Sequence, residues 1–276
     1  MQYSEQDLNQ LHTVLYEILS EIDRVCTIYK IPYFLIGGSA IGLYYDGGIL
    51  PWDDDLDIGM TRENYNRFIE VAPQCLNEKY FLSSVETDLH TPFFYAKVKK
   101  NGTLFVEERY KDVDMHHGIF VDVFPYDRIP DNLILRELQY KVANFVKCCM
   151  MGKEVWMWES FGKCQISTPL PRSKVSCMLN LIMNKIFSKQ SLYRINVFVQ
   201  TLFNNFDTEY YNLVVAKINY VETQDIEEVI PVQYGPINTY ALKEWKKNLH
   251  LNYPQLRRHT KEEQCNHAPL FLSFNG

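Results

Sequence analysis

Residues Tyr33 to Met60 read YFLIGGSAIGLYYDGGILPWDDDLDIGM, and this stretch decides how the chain folds. The apolar run Tyr33–Ile36 has the length and character of a fully buried strand. Gly37-Gly38-Ser39 follows, where missing side chains let a ligand approach the backbone. After a short helix, Pro51-Trp52 leads into Asp53, Asp54, Asp55 and Asp57. With Asp55–Ile58 as a strand, alternation places Asp53, Asp55 and Asp57 on one face and sends Leu56 and Ile58 into the core. Carboxylates gathered this way repel one another unless a cation sits among them. Hard oxygen ligands suit magnesium, which also holds substrate phosphates.

Upstream, Leu8, Leu11, Leu15, Ile18, Ile22 and Val25 recur at helical spacing over about residues 4–29, and Lys30-Ile31-Pro32 ends that helix. Downstream, Thr61 is the expected N-cap of a helix presenting Tyr65, Phe68, Ile69 and Ala72. Strands are expected at Tyr80–Ser83, Phe93–Val98 and Thr103–Glu107, the last two joined by an Asn101-Gly102 hairpin turn. A further strand, Ile119–Phe124, points Ile119, Val121 and Val123 one way and Phe120, Asp122 and Phe124 the other. Asp122 is then an acid within an apolar strand, a costly placement unless it is paired or bound to metal.

From Asn132 the pattern turns helical, with Leu133–Met151 and Lys174–Phe206 flanking a loop around Phe161–Pro171. The tail from Val229, with Pro231, Pro236, Pro254 and Pro269, reads as irregular. The expected organisation is a catalytic region, 1–130, and a helical region with its tail, 131–276, packed on the first as one unit. A formal net charge of −6 argues against a general nucleic-acid binder. The 7 cysteines form no C-x-x-C pair, so neither a zinc ribbon nor a thioredoxin-like site is suggested. The N-terminus has no signal-peptide pattern, and no apolar run approaches the roughly 18 residues of a membrane span. A cytoplasmic location is expected.

The glycine-serine turn and Asp-x-Asp are weak signals separately. Joined in one strand–turn–helix–strand unit, with a third strand aspartate about 65 residues on, they resemble DNA polymerase β-type nucleotidyltransferases. The run LIGGSAIGLYYDGGILPWDDDLDIGMTRENYNRF further resembles the signature of the LicD family of phosphocholine transferases, relatives of fukutin and the fukutin-related protein; GIFVDVFPYD resembles that family's second motif. The resemblance covers the first 130 residues. It implies an α/β nucleotidyltransferase fold with a mixed sheet and a helical second half. It also implies transfer of a phospho-linked group, phosphocholine above all, from CDP-choline or a related CDP-alcohol to a hydroxyl of a surface glycan, lipid-linked acceptors included. Asp55 and Asp57 would bind magnesium, with two ions expected and manganese as an alternative. Asp122 would complete the site and activate the acceptor hydroxyl. Gly37, Gly38 and Ser39 would hold the donor phosphates, with Asp53 in support. Many relatives carry a basic run where this chain has Tyr44-Tyr45-Asp46-Gly47, so phosphate contacts are sought elsewhere, at Lys97 or Lys99.

An EF-hand loop from Asp53 fails, because Ile58 and Asn64 stand where glycine and glutamate are required. Asp54 reads as a solvated neighbour. Asp127 and Arg128 read as a turn or local ion pair, and Asp114, His116 and His117 as a loop. Trp52, with Tyr44 and Tyr45, is a packing group or a cage for a choline cation. Arg172, Lys174, Lys185, Lys189 and Arg194 give the helical half a basic amphipathic character. It reads as a cap on the catalytic half, with peripheral contact to an anionic membrane as the alternative. Lys243, Lys246, Lys247, Arg257 and Arg258 are further phosphate-binding candidates. Nucleotidyl transfer from a nucleoside triphosphate, and a non-catalytic scaffold, are the other functional readings.

Overall fold

A computed structural model describes residues 3–154, 174–214, 219–260, 262–264 and 266–275, with backbone alone at 174–177. The Phe161–Pro171 loop, Arg172 and the Lys174 side chain lie outside the described residues. In chain order the elements are α1 (Glu5–Tyr29), β1 (Phe34–Leu35), α2 (Gly37–Asp46), β2 (Asp57–Thr61), α3 (Arg62–Cys75), β3 (Tyr80–Ser83), β4 (Ala96–Lys100) and β5 (Leu104–Val106). Then come β6 (Phe120–Ile129), α4 (Leu133–Met151), α5 (Lys174–Ile186), α6 (Lys189–Thr201), β7 (Tyr210–Asn212), β8 (Val221–Glu222), β9 (Val229–Tyr234), β10 (Ile237–Leu242), α7 (Trp245–Asn252) and β11 (Phe271–Ser273).

Helix α1 opens with a capping box in which Ser4 Oγ accepts the Asp7 N–H and the Asp7 carboxylate accepts the Ser4 N–H. It ends at Lys30, which takes the left-handed conformation and bonds back to Thr27 and Cys26 carbonyls. Its buried stripe (Leu11, Leu15, Ile18, Ile22, Val25) packs in the main core with Ile58, Met60, Ala96, Val98, Val121 and Val123 from the sheet. Thr61 caps α3, accepting from the Asn64 N–H.

The sheet runs β1-β2-β6-β4-β3, with β7 on β6 and β8 on β7, seven strands among the described residues. Strand β2 is parallel to β6 and the remaining pairings are antiparallel, so the sheet is mixed. Strand β6 is longer than expected. Its first half sits between β2 and β4, and Asp127–Ile129 pairs with β7.

Several expectations need correction. Only Asp57 of the acidic run lies within a strand; Asp53–Leu56 precedes β2 as an irregular segment. Strand β4 begins at Ala96 and runs on to Lys100. The expected Lys174–Phe206 helix is two helices, because Ser188 caps α6 by accepting the Ser191 N–H. The tail is not irregular. It contains the β9–β10 hairpin, turning at Gly235 with φ +57°, then α7, and then β11, which pairs with β5. Pro231 is tolerated because this two-stranded ribbon is all edge.

Candidate active site

Three adjacent strands bring the chemistry together. On β2 and β6, Asp57 and Asp122 are register partners; on β6 and β4, Asp122 and Lys97 are register partners. Lys97 Nζ lies 2.6 Å from Asp122 Oδ1, and the Tyr95 hydroxyl donates to Asp122 Oδ2 at 3.3 Å. The glycine turn meets this row directly. A Cβ on Gly37 (φ +54°) would stand 3.5 Å from Asp57 Oδ2, and one on Gly38 would stand 2.9 Å from Asp53 Oδ2. Gly37 needs glycine for its backbone angle, and a side chain at Gly38 would have to displace the Asp53 carboxylate.

Asp53, Asp55 and Asp57 line a cleft of about 780 Å³ together with Gly38, Tyr45, Trp52, Tyr253, Arg257, Arg258 and His267. Asp122 and Lys97 are buried and do not border it. Ser39 is buried too, and its Oγ accepts the Asp57 N–H at 2.8 Å. That hydroxyl fixes the entry into β2 rather than facing the cleft. Lys99, two residues along β4 from Lys97, is tied instead to Asp88 and the His116 carbonyl. Tyr44 turns toward Trp245 and His250, so of the three cage candidates Tyr45 and Trp52 line the cleft, where Tyr253 joins them.

Asp54 is not solvated. It is 2% exposed, accepting from the Tyr3 hydroxyl at 2.8 Å and from the His267 backbone N–H at 3.0 Å. Asp127 and Arg128 are not paired with each other. Asp127 binds Arg62, and Arg128 reaches Asp207. Residues 114–117 lie in a loop, with His116 stacked on Phe81 at 5.0 Å.

Burial, followed by mutual repulsion, pushes Asp53 up to about 8 and raises Asp57 well above the carboxylate range. Burial likewise pushes Asp55 up to about 6. Burial raises Asp122 against the opposing pull of Lys97. His267 is pushed up too, in its case toward the charged form: its hydrogen bond to Asp54 and then the charge of Asp55 hold it up to about 9. Asp53, Asp55 and Asp57, half-buried along the cleft, and the buried Asp122 make an all-carboxylate donor set that fits a hard divalent cation such as magnesium or manganese. Asp54, Asp55 and His267 also bring one ligand atom each to within 4.8 Å of one another.

Asp54, Tyr95 and His267 were missed from the sequence. An aspartate in an acidic run, a strand tyrosine and a tail histidine carry no local signal, and their partners lie 27 to 213 residues away.

Residues 30–149 match the family described as LicD/FKTN/FKRP, nucleotidyltransferase domain. The chain is 33% identical over 126 residues to the lipopolysaccharide cholinephosphotransferase LicD of Haemophilus influenzae, covering 45% of this chain and 46% of that protein. It is 27% identical over 130 residues to an uncharacterised protein of Rickettsia typhi, covering 47% and 40%. The chain thus spans less than half the length of these relatives. The mixed α/β architecture, the paired strand aspartates and these matches agree: residues 30–149 are a nucleotidyltransferase domain of the LicD/FKTN/FKRP family, and the chain is a distant homologue of the LicD cholinephosphotransferase.

Proposed function

We propose that this LicD-family transferase moves a phospho-linked group, phosphocholine foremost, from a CDP-activated donor to a sugar hydroxyl of a surface glycan such as lipopolysaccharide, teichoic acid or capsule. The observation that carries this reading is the register pairing of Asp57 with Asp122 beside the Gly37-Gly38 turn. Asp55, Asp57 and Asp122 would hold magnesium, which supplies charge neutralisation at the attacking and leaving oxygens.

In this reading the acceptor oxygen attacks the phosphorus that carries the head group. The phosphoanhydride bond breaks, and its electron pair leaves with cytidine monophosphate. The acceptor proton passes to Asp122, the register partner of Asp57; Lys97 balances its charge beforehand. Gly37 and Gly38 keep the turn open for donor phosphates, and Asp53 and Trp52 border the bound donor.

Among the described residues no helix is long and apolar enough to cross a membrane. We place the protein in the cytoplasm, with peripheral contact to the inner membrane face where lipid-linked acceptors reside. Exposed Leu133, Ile134 and Leu138 on α4, beside Lys141, support that contact. Flotation with anionic vesicles tests it.

The activity test is a thermal-shift panel of native protein and Asp57→Asn with magnesium and CDP-choline, CDP-ribitol or CTP. Donor at a hundredfold its dissociation constant adds about 2.7 kcal/mol, which moves the melting point by several degrees. A shift with one CDP-alcohol, lost in the variant, supports the reading and selects the donor. A shift with CTP alone points to nucleotidyl transfer, and glycan modification surviving Asp57→Asn in cells would point to a scaffold.

A further inference from the structure

We propose that Arg258, on the segment after α7, is the residue that grips the diphosphate of the donor. The cleft has two unlike walls. Asp53, Asp55 and Asp57 form one, while Arg257, Arg258 and His259 come from the C-terminal segment. A carboxylate wall repels a diphosphate, so a direct cationic contact is needed beside any metal.

Arg258 fits that task better than its neighbour. The Arg257 guanidinium is engaged by both oxygens of Glu263 through two nitrogens. The contact of Arg258 with Asp46, at 2.6 Å, uses one of the five N–H donors a guanidinium carries. Asp46 ends α2, the helix that begins at Gly37-Gly38, so this ion pair ties the basic segment to the element bearing the turn. The Arg258 guanidinium also lies 5.9 Å from the Tyr45 ring centroid and 6.0 Å from that of Trp52, both lining the cleft. Such placement orients a flat fork toward a ligand.

The segment is anchored on both sides of Arg258. Tyr253 and Leu256 pack against the main core, and farther along His267 donates its backbone N–H to Asp54. Arg258 is therefore presented from a fixed support.

This inference rests on the proposed donor class, and its test separates the two. Calorimetric titration of the full chain would use magnesium pyrophosphate and, separately, CDP-choline with magnesium. The proteins are native, Arg258→Gln, Arg258→Lys and the charge-matched surface control Lys111→Gln. Losing a charge-assisted phosphate contact should weaken binding about tenfold or more. Arg258→Gln should lose that much for both ligands, Arg258→Lys should fall between, and Lys111→Gln should match native. Native-like pyrophosphate binding by Arg258→Gln, or no pyrophosphate binding by native protein, overturns the assignment. Native protein that binds pyrophosphate through Arg258 but no CDP-alcohol upholds it and overturns the donor reading instead.

Discussion

Lys97 Nζ stands 2.6 Å from Asp122 Oδ1, and the lysine is buried with its ammonium over the rings of Phe120 and Phe93 at 3.4 and 4.3 Å. Lys97 supplies positive charge to a row of carboxylates that would otherwise face one another unbalanced. Removing one partner of a buried ion pair costs about 3–5 kcal/mol because the other charge is stranded. Lys97→Met should lose that much in urea unfolding without divalent cation. With millimolar magnesium it should regain more than native protein does, since the cation then answers charge that lysine no longer balances. Equal magnesium gains in both proteins would refute this account.

Gly38 gives a cleaner probe of geometry. Its added Cβ would stand 2.9 Å from Asp53 Oδ2, so Gly38→Ala must push that carboxylate aside. Displacement by about 1 Å in a catalytic group costs on the order of a hundredfold in rate. The variant should keep a near-native melting point and lose about that factor in cytidine monophosphate release from CDP-choline. Native turnover would show that Asp53 has no part in the reaction.

These two residues also show what a sequence can disclose. The Gly37-Gly38 turn and the strand placement of Asp57 and Asp122 are legible because local rules govern them: apolar runs, glycine freedom and strand periodicity. The same rules misled at Asp54, where an acidic run looks solvated until Tyr3 and His267 arrive from 51 and 213 residues away. They misled again at Pro231, read as a breaker although an edge ribbon accepts it; the Gly235-Pro236 pair between two β-branched runs was the overlooked signal. The cleft's basic wall was only partly legible. Arg258 was one of five tail cations, and its contact with Asp46, 212 residues distant, is what singles it out.

Lys99, paired with Asp88 rather than with the carboxylate row, provides a pH test. Burial pushes its ammonium down to about 8 from the usual 10.5, against the pull of Asp88. The unfolded chain therefore binds more protons between those values, and this group makes stability rise with pH across that window. Lys99→Met lacks the component. The native-minus-variant stability difference, from urea unfolding at pH 7, 8, 9 and 10, should be nearly level below pH 8 and grow above it. A difference that stays flat to pH 10 would contradict the assignment.

The last prediction concerns how the two regions hold together. Arg62 Nε donates to Asp127 Oδ1 at 2.9 Å inside the protein; Gln200 accepts from Arg62 at 2.9 Å, and Asn204 donates to Asp127 at 2.7 Å. The pair belongs to residues 1–130 and its two amide partners to 131–276, which supports our proposal that the regions form one unit. Asp127→Asn keeps the shape but strands the Arg62 charge, at a cost of about 3–5 kcal/mol. For a chain this size the melting point should fall by roughly 6–20 °C. Calorimetry should show one cooperative transition in native protein and in the variant, only displaced to lower temperature. A native profile that resolves into two transitions would mean that residues 131–276 melt separately, and the one-unit proposal would fall.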